Sequence, residues 1–147
     1  MGRDGKLTYA IPDKLADGST GNKIKNQTSV FDPMLCELAY RWWSRPGAVV
    51  LDPFAGGSVR GIMASLMGLK YYGIDLRSEQ IEANKSQLDA NTTGAYKPRW
   101  VAGDSVVEVP KAPACDFVFS CPPYGDLEVY SNDPEDISNM GQDDFLA

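Results

Sequence analysis

Histidine is absent from the 147 residues, and cysteine is scarce, with Cys36, Cys115 and Cys121 the full set. Without an imidazole the chain lacks the commonest general base, which excludes a Ser-His-Asp or Cys-His mechanism within it. The cysteines show no CxxC spacing and no histidine stands ready to complete a zinc set, so no metal is expected and the thiols are read as reduced, in a cytoplasmic setting. No apolar run approaches the roughly 18 residues that would cross a bilayer. The N-terminal MGRDGKLTYAIPDK has no apolar stretch after its charges, so it does not read as a secretory signal.

A basic stripe is missing as well. The net charge is −6, and all 14 Lys and Arg residues lie at or before Lys111, together with 12 of the 20 acids. Residues 1–111 therefore carry +2 and residues 112–147 carry −8. A duplex-binding face built from this chain alone would need a denser cluster of cations.

What is present is an alternation of strand and helix patterns. Residues 1–28 are polar and lack a sustained period, which reads as an extended arm. Asp32 as a cap, Pro33 in the first helical position, and Met34, Leu35, Leu38, Ala39 and Trp42 at helical spacing predict a helix ending near Pro46-Gly47. AVVLD (48–52) is a short apolar strand of the kind buried in a parallel sheet. After the turn PFAGGS a helix is expected over about 58–68, with Val59, Ile62, Met63 and Leu66 on one face. KYYGIDL reads as a strand ending at Asp75, and SEQIEANKSQLDAN as a helix capped by Ser78 with Ile81 and Leu88 seven apart. RWVAGDS and CDFVFSCPPY supply a third and a fourth strand. This order predicts an α/β fold, a doubly wound parallel sheet of about four strands with flanking helices. The acidic tail holds one weak helical segment, PEDISNMGQDDFLA.

Ligands in such a sheet bind beyond the carboxyl ends of the strands, and four polar clusters fall there. In LDPFAGGSVRG (51–61) the two glycines allow a tight turn and close backbone approach. The spacing matches neither GxGxxG nor GxxxxGK[ST], which argues against a dehydrogenase and a phosphate loop. Asp52 beside that turn would repel a pyrophosphate and suits a cationic ligand. Asp75 ends the second strand where an acid can accept from a ribose diol, with Leu76 placed to pack on a purine. Gly103-Asp104 follows the third strand, either as an ordinary turn or as an acceptor for an adenine amino group. In SCPPYGDLEVYS the two prolines fix an extended segment whose carbonyls no neighbouring strand uses. A planar amino group can donate to Cys121 or to the carbonyl of Pro122, with Tyr124 stacking on its ring.

Taken together and in this order, DPFAGGS, YYGIDL, AGDS and SCPPY resemble the motifs of S-adenosylmethionine-dependent DNA amino-methyltransferases, the adenine-N6 and cytosine-N4 class, over about residues 26–131. The resemblance implies an incomplete Rossmann-like methyltransferase sheet: residues 29–131 would be the cofactor-binding and catalytic-motif half of the domain. Residues 132–147 would continue into a missing or separate part. It implies S-adenosylmethionine as cofactor, with Asp52, Phe54 and Gly56 at its methionine and ribose end, Asp75 on the ribose hydroxyls, Leu76 on the adenine face and Asp104 on the adenine amino group. Ser29 and Phe31, in SVFDP, would belong to the methionine-binding segment. Ser120, Cys121, Pro122, Pro123 and Tyr124 would form the catalytic corner, receiving a DNA base flipped from its stack. A role in DNA methylation of the restriction-modification kind follows from the same resemblance.

Two departures from the family pattern stand out. Asp, Asn or Ser normally precedes Pro-Pro-Tyr, whereas Cys121 stands here and Ser120 one residue earlier. A thiol is a weak acceptor, so either Ser120 substitutes or the Pro122 carbonyl does most of the orienting, and adenine and cytosine both stay open as targets. The sheet is also short of the family's usual seven strands, which implies a second polypeptide or self-association to complete it. The alternatives are an RNA or protein-glutamine methyltransferase and a cofactor-binding module that no longer catalyses.

Overall fold

A computed structural model describes residues 31–91, 94–123, 130 and 132–141. Pro33–Trp43 forms helix α1, Val49–Asp52 strand β1, Val59–Leu66 helix α2, Lys70–Asp75 strand β2 and Ser78–Asn91 helix α3. Arg99–Ala102 is strand β3, Ser105–Glu108 the single turn α4 and Phe117–Val118 strand β4, and 3-10 turns lie at Val109–Lys111 and Ile137–Asn139. The strands run in the order β3-β2-β1-β4 with every pairing parallel, so the expected α/β parallel sheet of four strands is present. Asp52 lies opposite Gly73, Asp75 opposite Ala102 and Leu51 opposite Val118. That register brings the carboxyl ends of all four strands to one edge.

Alternation along the strands makes two apolar layers. Val50, Tyr71 and Trp100 pack with Cys36 and Tyr40 of α1, Ala64 of α2, and Ile81 and Leu88 of α3. Leu51, Tyr72 and Ile74 point to the other face, where Val101, Val109 and Ala112 cover them. Trp100 fits because two glycines make room: a Cβ on Gly61 would sit 2.5 Å from Trp100 Cζ2, and one on Gly73 would sit 2.9 Å from its Cδ1.

Helix α1 starts where Asp32 accepts a 2.8 Å bond from the Met34 N–H, with Pro33 in its first turn. Of the apolar stripe read from the sequence, Ala39 alone lies on the core face of this helix. Met34, Leu35, Leu38 and Trp42 are exposed, and Cys36, Ala39 and Tyr40 are the buried residues. Tyr40 explains the choice: its hydroxyl donates to the Arg60 carbonyl at 3.0 Å and its ring stands edge-on to Phe117 and Phe119. Burial pushes the Cys36 thiol up to about 12, so it stays protonated. The exposed stripe reaches Trp43, whose ring lies 6.4 Å from that of Phe117 on β4. Among the described strands β4 has a neighbour on one side alone, and its Val118 is exposed.

Other expectations shift in the same way. In α2 the buried residues are Arg60, Gly61, Ala64 and Ser65, while Val59, Ile62 and Met63 are half-buried and Leu66 is exposed, because small side chains let this helix approach the strands. Helix α3 begins at Ser78 itself, so the residue is not its cap. In the described part of the tail's weak helical segment, Ile137–Asn139 is a 3-10 turn, since the buried Asp136 carboxylate accepts from the Ser138 N–H at 2.9 Å and hydroxyl at 2.6 Å and so competes with helical pairing. Residues 1–28 and 142–147 lie outside the described residues. Among the described residues no helix is long and apolar enough to cross a membrane.

Candidate methyl-transfer site

The carboxyl edge of the sheet opens into a cavity of about 860 Å³. Pro53, Phe54, Gly56 and Gly57 line it after β1, Asp75 to Arg77 after β2, Gly103 to Val106 after β3, and Cys121 to Pro123 after β4. Three of the four polar clusters of the sequence therefore meet the diproline corner around one space. Phe31 contributes from the segment before α1, and Tyr130 and residues 135–137 from the acidic tail.

The glycine turn is held open to the cavity. Gly56 has φ +49°, where a side chain is strained, and a Cβ on Gly56 or Gly57 would meet no protein atom within 4 Å. The turn thus presents backbone where other residues would present side chains. It is fixed from behind: the Ala55 N–H donates to the Ile74 carbonyl at 2.7 Å, and Asn84, fully buried, donates its Nδ2–H to the Gly56 carbonyl at 2.8 Å.

Asp75 stands across from the turn. Its Oδ2 accepts from the Gly56 N–H at 2.8 Å and its Oδ1 from the Arg77 N–H at 3.0 Å, one bond on oxygens that can each accept two, and Asp75 lines the cavity. Burial raises its pKa above the ordinary value, against the lowering effect of those two N–H groups. Leu76 lines the same wall. Asp104 caps α4, accepting from the Val106 N–H at 2.9 Å, and also borders the cavity. Ser105 ties this loop to the glycine turn by donating to the Pro53 carbonyl.

Two residues take other places than the sequence suggested. Asp52 is fully buried and does not line the cavity. Its Oδ2 accepts from Arg60 Nε at 2.6 Å and from the Tyr71 hydroxyl at 2.5 Å, and its Oδ1 from the Ser120 hydroxyl at 2.6 Å and the Phe54 N–H at 3.3 Å. Four donors, the buried Arg60 guanidinium among them, already satisfy it, and its charge is paired in the interior. Ser120 is likewise turned away from the cavity, donating to Asp52 while accepting from the Phe54 N–H at 3.0 Å. Its hydroxyl is committed to those two bonds, whereas Cys121 and Pro122 line the cavity. Phe31, Phe54 and Gly56 line the cavity as expected, whereas Ser29 and Tyr124 lie outside the described residues.

Arg60, Asn84 and the tail were missed by sequence reasoning. Arg60 is buried and donates from Nη2 to the Phe54 and Ala55 carbonyls at 2.7 and 3.1 Å. Burial lowers its pKa, but the Asp52 charge and hydrogen bond outweigh that and the net shift is upward. Burial and Asp52 together hold the Tyr71 hydroxyl well above its ordinary value. Asn84 had a readable signal, since it lies three residues after Ile81 and four before Leu88, on the apolar face of α3. No group of His, Cys, Asp or Glu among the described residues is arranged to hold a metal ion.

Comparison with known proteins agrees with this geometry. The sequence profile of a DNA methylase family, the N6/N4 methylases, matches residues 13–86 and so includes the glycine turn and Asp75. A tRNA (guanine(10)-N2)-dimethyltransferase of Pyrococcus abyssi is 31% identical over 88 residues, 60% of this chain and 27% of that protein. The DNA adenine methyltransferase YhdJ of Escherichia coli is 46% identical over 46 residues, 31% of this chain and 16% of the other. Among solved structures, TrmN from Thermus thermophilus shares the fold with a TM-score of 0.56 at 23% identity, over 65% of this chain and 29% of that one. A putative RNA methyltransferase, PH1948 from Pyrococcus horikoshii, has a TM-score of 0.50 at 27% identity, over 65% and 46%. The chain thus spans less than a third of the curated relatives it matches. With half its length matched by the family profile and its sheet shared with solved methyltransferases, the chain belongs to the N6/N4 DNA methylase family.

Proposed function

We propose that this chain binds S-adenosylmethionine in the carboxyl-edge cavity and that the protein it serves transfers a methyl group to the exocyclic amino group of a DNA base, adenine N6 or cytosine N4. The observation that carries the reading is the meeting of an open glycine turn, an acid at the end of β2 and the diproline corner around a single space of about 860 Å³, within the roughly 300–1,000 Å³ usual for ligand sites.

The residues fit the cofactor. Gly56 and Gly57 leave a cradle that a side chain would fill. Asp75 offers two oxygens to a ribose diol, Leu76 and Val106 offer apolar surface to a purine, and Asp104 an acceptor for its amino group. When bound, S-adenosylmethionine supplies a methyl group on a positively charged sulfur, so the transfer needs positioning more than an imidazole base. The corner from Cys121 to Pro123 would orient the amino group through its backbone carbonyls. Proline rings fix those carbonyls in place without help from a neighbouring strand.

One observation favours an RNA substrate as a second reading: a relative matched over 88 residues is a tRNA (guanine(10)-N2)-dimethyltransferase, and a guanine N2 is also an exocyclic amine. Radiolabelled methyl transfer to DNA, RNA and protein in parallel separates the two. Label in DNA supports the first reading, label in RNA alone replaces it, and failure of S-adenosylmethionine to bind at all rejects both. The exposed stripe of α1 and the free side of β4 are the surface on which further strands, from a second polypeptide or a second copy, would complete the sheet. Size measurement of the active assembly tests this, and full activity in a 16 kDa monomer would contradict it.

A further inference from the structure

We infer that Ser120 is a positioning residue rather than an acceptor for the substrate: held by the Asp52–Arg60 pair, it sets the separation between the glycine turn and the diproline corner. This rests on the proposed methyl-transfer reading. The Phe119 N–H and the Ser120 hydroxyl tie the segment before the prolines to β1 and the glycine turn. Strand β4 is two residues long, and the Phe119 N–H, donating to the Leu51 carbonyl at 3.0 Å, makes the last sheet bond before the prolines. The next link is the Ser120 hydroxyl, which donates to Asp52 at 2.6 Å and accepts from the Phe54 N–H at 3.0 Å.

Both partners in that link belong to the β1 side of the site, opposite the corner that carries Ser120. Phe54 is in the glycine turn, and Asp52 ends β1 beneath it. Arg60 then binds the Phe54 and Ala55 carbonyls, and its guanidinium lies 4.7 Å over the Phe31 ring, which stands edge-on to Phe119. A buried ion pair of this kind holds one arrangement because any other would leave a charge unpaired in the interior. Ser120 transmits that arrangement to the corner. A methyl donor seated on the turn and an amine seated on the corner are then kept in line by a hydroxyl that touches neither, and the acceptor role falls to position 121 and the Pro122 carbonyl.

Ser120→Ala and Ser120→Thr, made in the chain together with whatever partner it requires, test this with two readouts. Amide hydrogen exchange of the ligand-free protein should speed up about tenfold in Ser120→Ala at Phe54 and over residues 119–121, with α3 unchanged. Cofactor Kd should stay within about threefold while kcat falls about 10- to 100-fold, and Ser120→Thr, which keeps the hydroxyl, should restore both exchange and kcat. Unchanged exchange at Phe54, faster exchange spread evenly through the sheet, or equal loss in the Thr variant would overturn the assignment. If the unaltered protein binds no S-adenosylmethionine, the methyl-transfer reading fails, and the exchange data still decide whether Ser120 ties the two segments together.

Discussion

Replacing Asp75 with Ala should weaken S-adenosylmethionine binding through lost ribose contacts, separately from its effect on the fold. The carboxylate already holds the Gly56 and Arg77 N–H groups, one on each oxygen, so it has one acceptor position per oxygen left for the two ribose hydroxyls. Hydrogen bonds to a charged acceptor contribute about 1.5–3 kcal/mol each, but the first effect of losing them is return of the hydroxyls to water, so a net loss of about 1–3 kcal/mol is expected. That is about a 5- to 150-fold rise in Kd. Loss of an acceptor for two backbone N–H groups also costs stability, about 1–3 kcal/mol for each group left unsatisfied. Against it stands the relief of a carboxyl whose burial already disfavours its charge. Titration calorimetry with the ligand, alongside thermal melting without it, separates the two effects. A Kd unchanged within error, with only the melting temperature lowered, would mean that the ribose does not sit at Asp75.

Gly56→Leu should abolish cofactor binding at millimolar ligand, since the side chain enters the cavity from a residue at φ +49°, where it also carries about 1–3 kcal/mol of strain; retained affinity in calorimetry would mean that the cofactor does not approach this turn. Arg60→Met should destabilise the fold by about 3–5 kcal/mol in urea denaturation, because it strands the fully buried Asp52 charge. Adding Asp52→Asn to Arg60→Met should recover part of that loss, and additive losses would argue against a coupled pair. Burial raises the Asp75 carboxyl above 3.8, so in the window from 3.8 upward to its folded value the folded chain holds a proton that the unfolded chain has released. Its contribution to ligand-free stability should therefore fall as pH rises through that window, while cofactor affinity rises as the carboxylate forms. Melting and calorimetry across mildly acidic pH, compared with Asp75→Ala, read these opposite trends, and parallel trends would contradict the assignment.

The strands, their order of appearance and the edge where the site forms were legible because each rests on local signals: short apolar runs, a Gly-Gly turn and prolines where a strand must end. Orientation of the helices was less so. An apolar stripe ordinarily marks the core face, and Ala39 of the α1 stripe is buried, yet the Tyr40 hydroxyl and its contacts with Phe117 and Phe119 turn Cys36 inward beside it and leave Met34, Leu35, Leu38 and Trp42 outside. The site residues divide along the same line. Gly56, Asp75 and Leu76 could be placed at the carboxyl edge from the sequence, since a turn and a strand end fix them there. The buried bonds of Asp52 and Ser120 could not, because their partners, Arg60, Tyr71 and each other, are 8 to 68 residues away in the chain. An acid beside a glycine turn looks the same in sequence whether it faces a ligand or a buried arginine.

Photolabelling with methyl-tritiated S-adenosylmethionine, followed by peptide mapping, tests the central claim most directly. Label should fall within residues 53–58 and 121–123, the glycine turn and the diproline corner that line the cavity. Label confined to the opposite end of the sheet, around Lys70 and Arg99, or its absence at saturating ligand, would contradict the account.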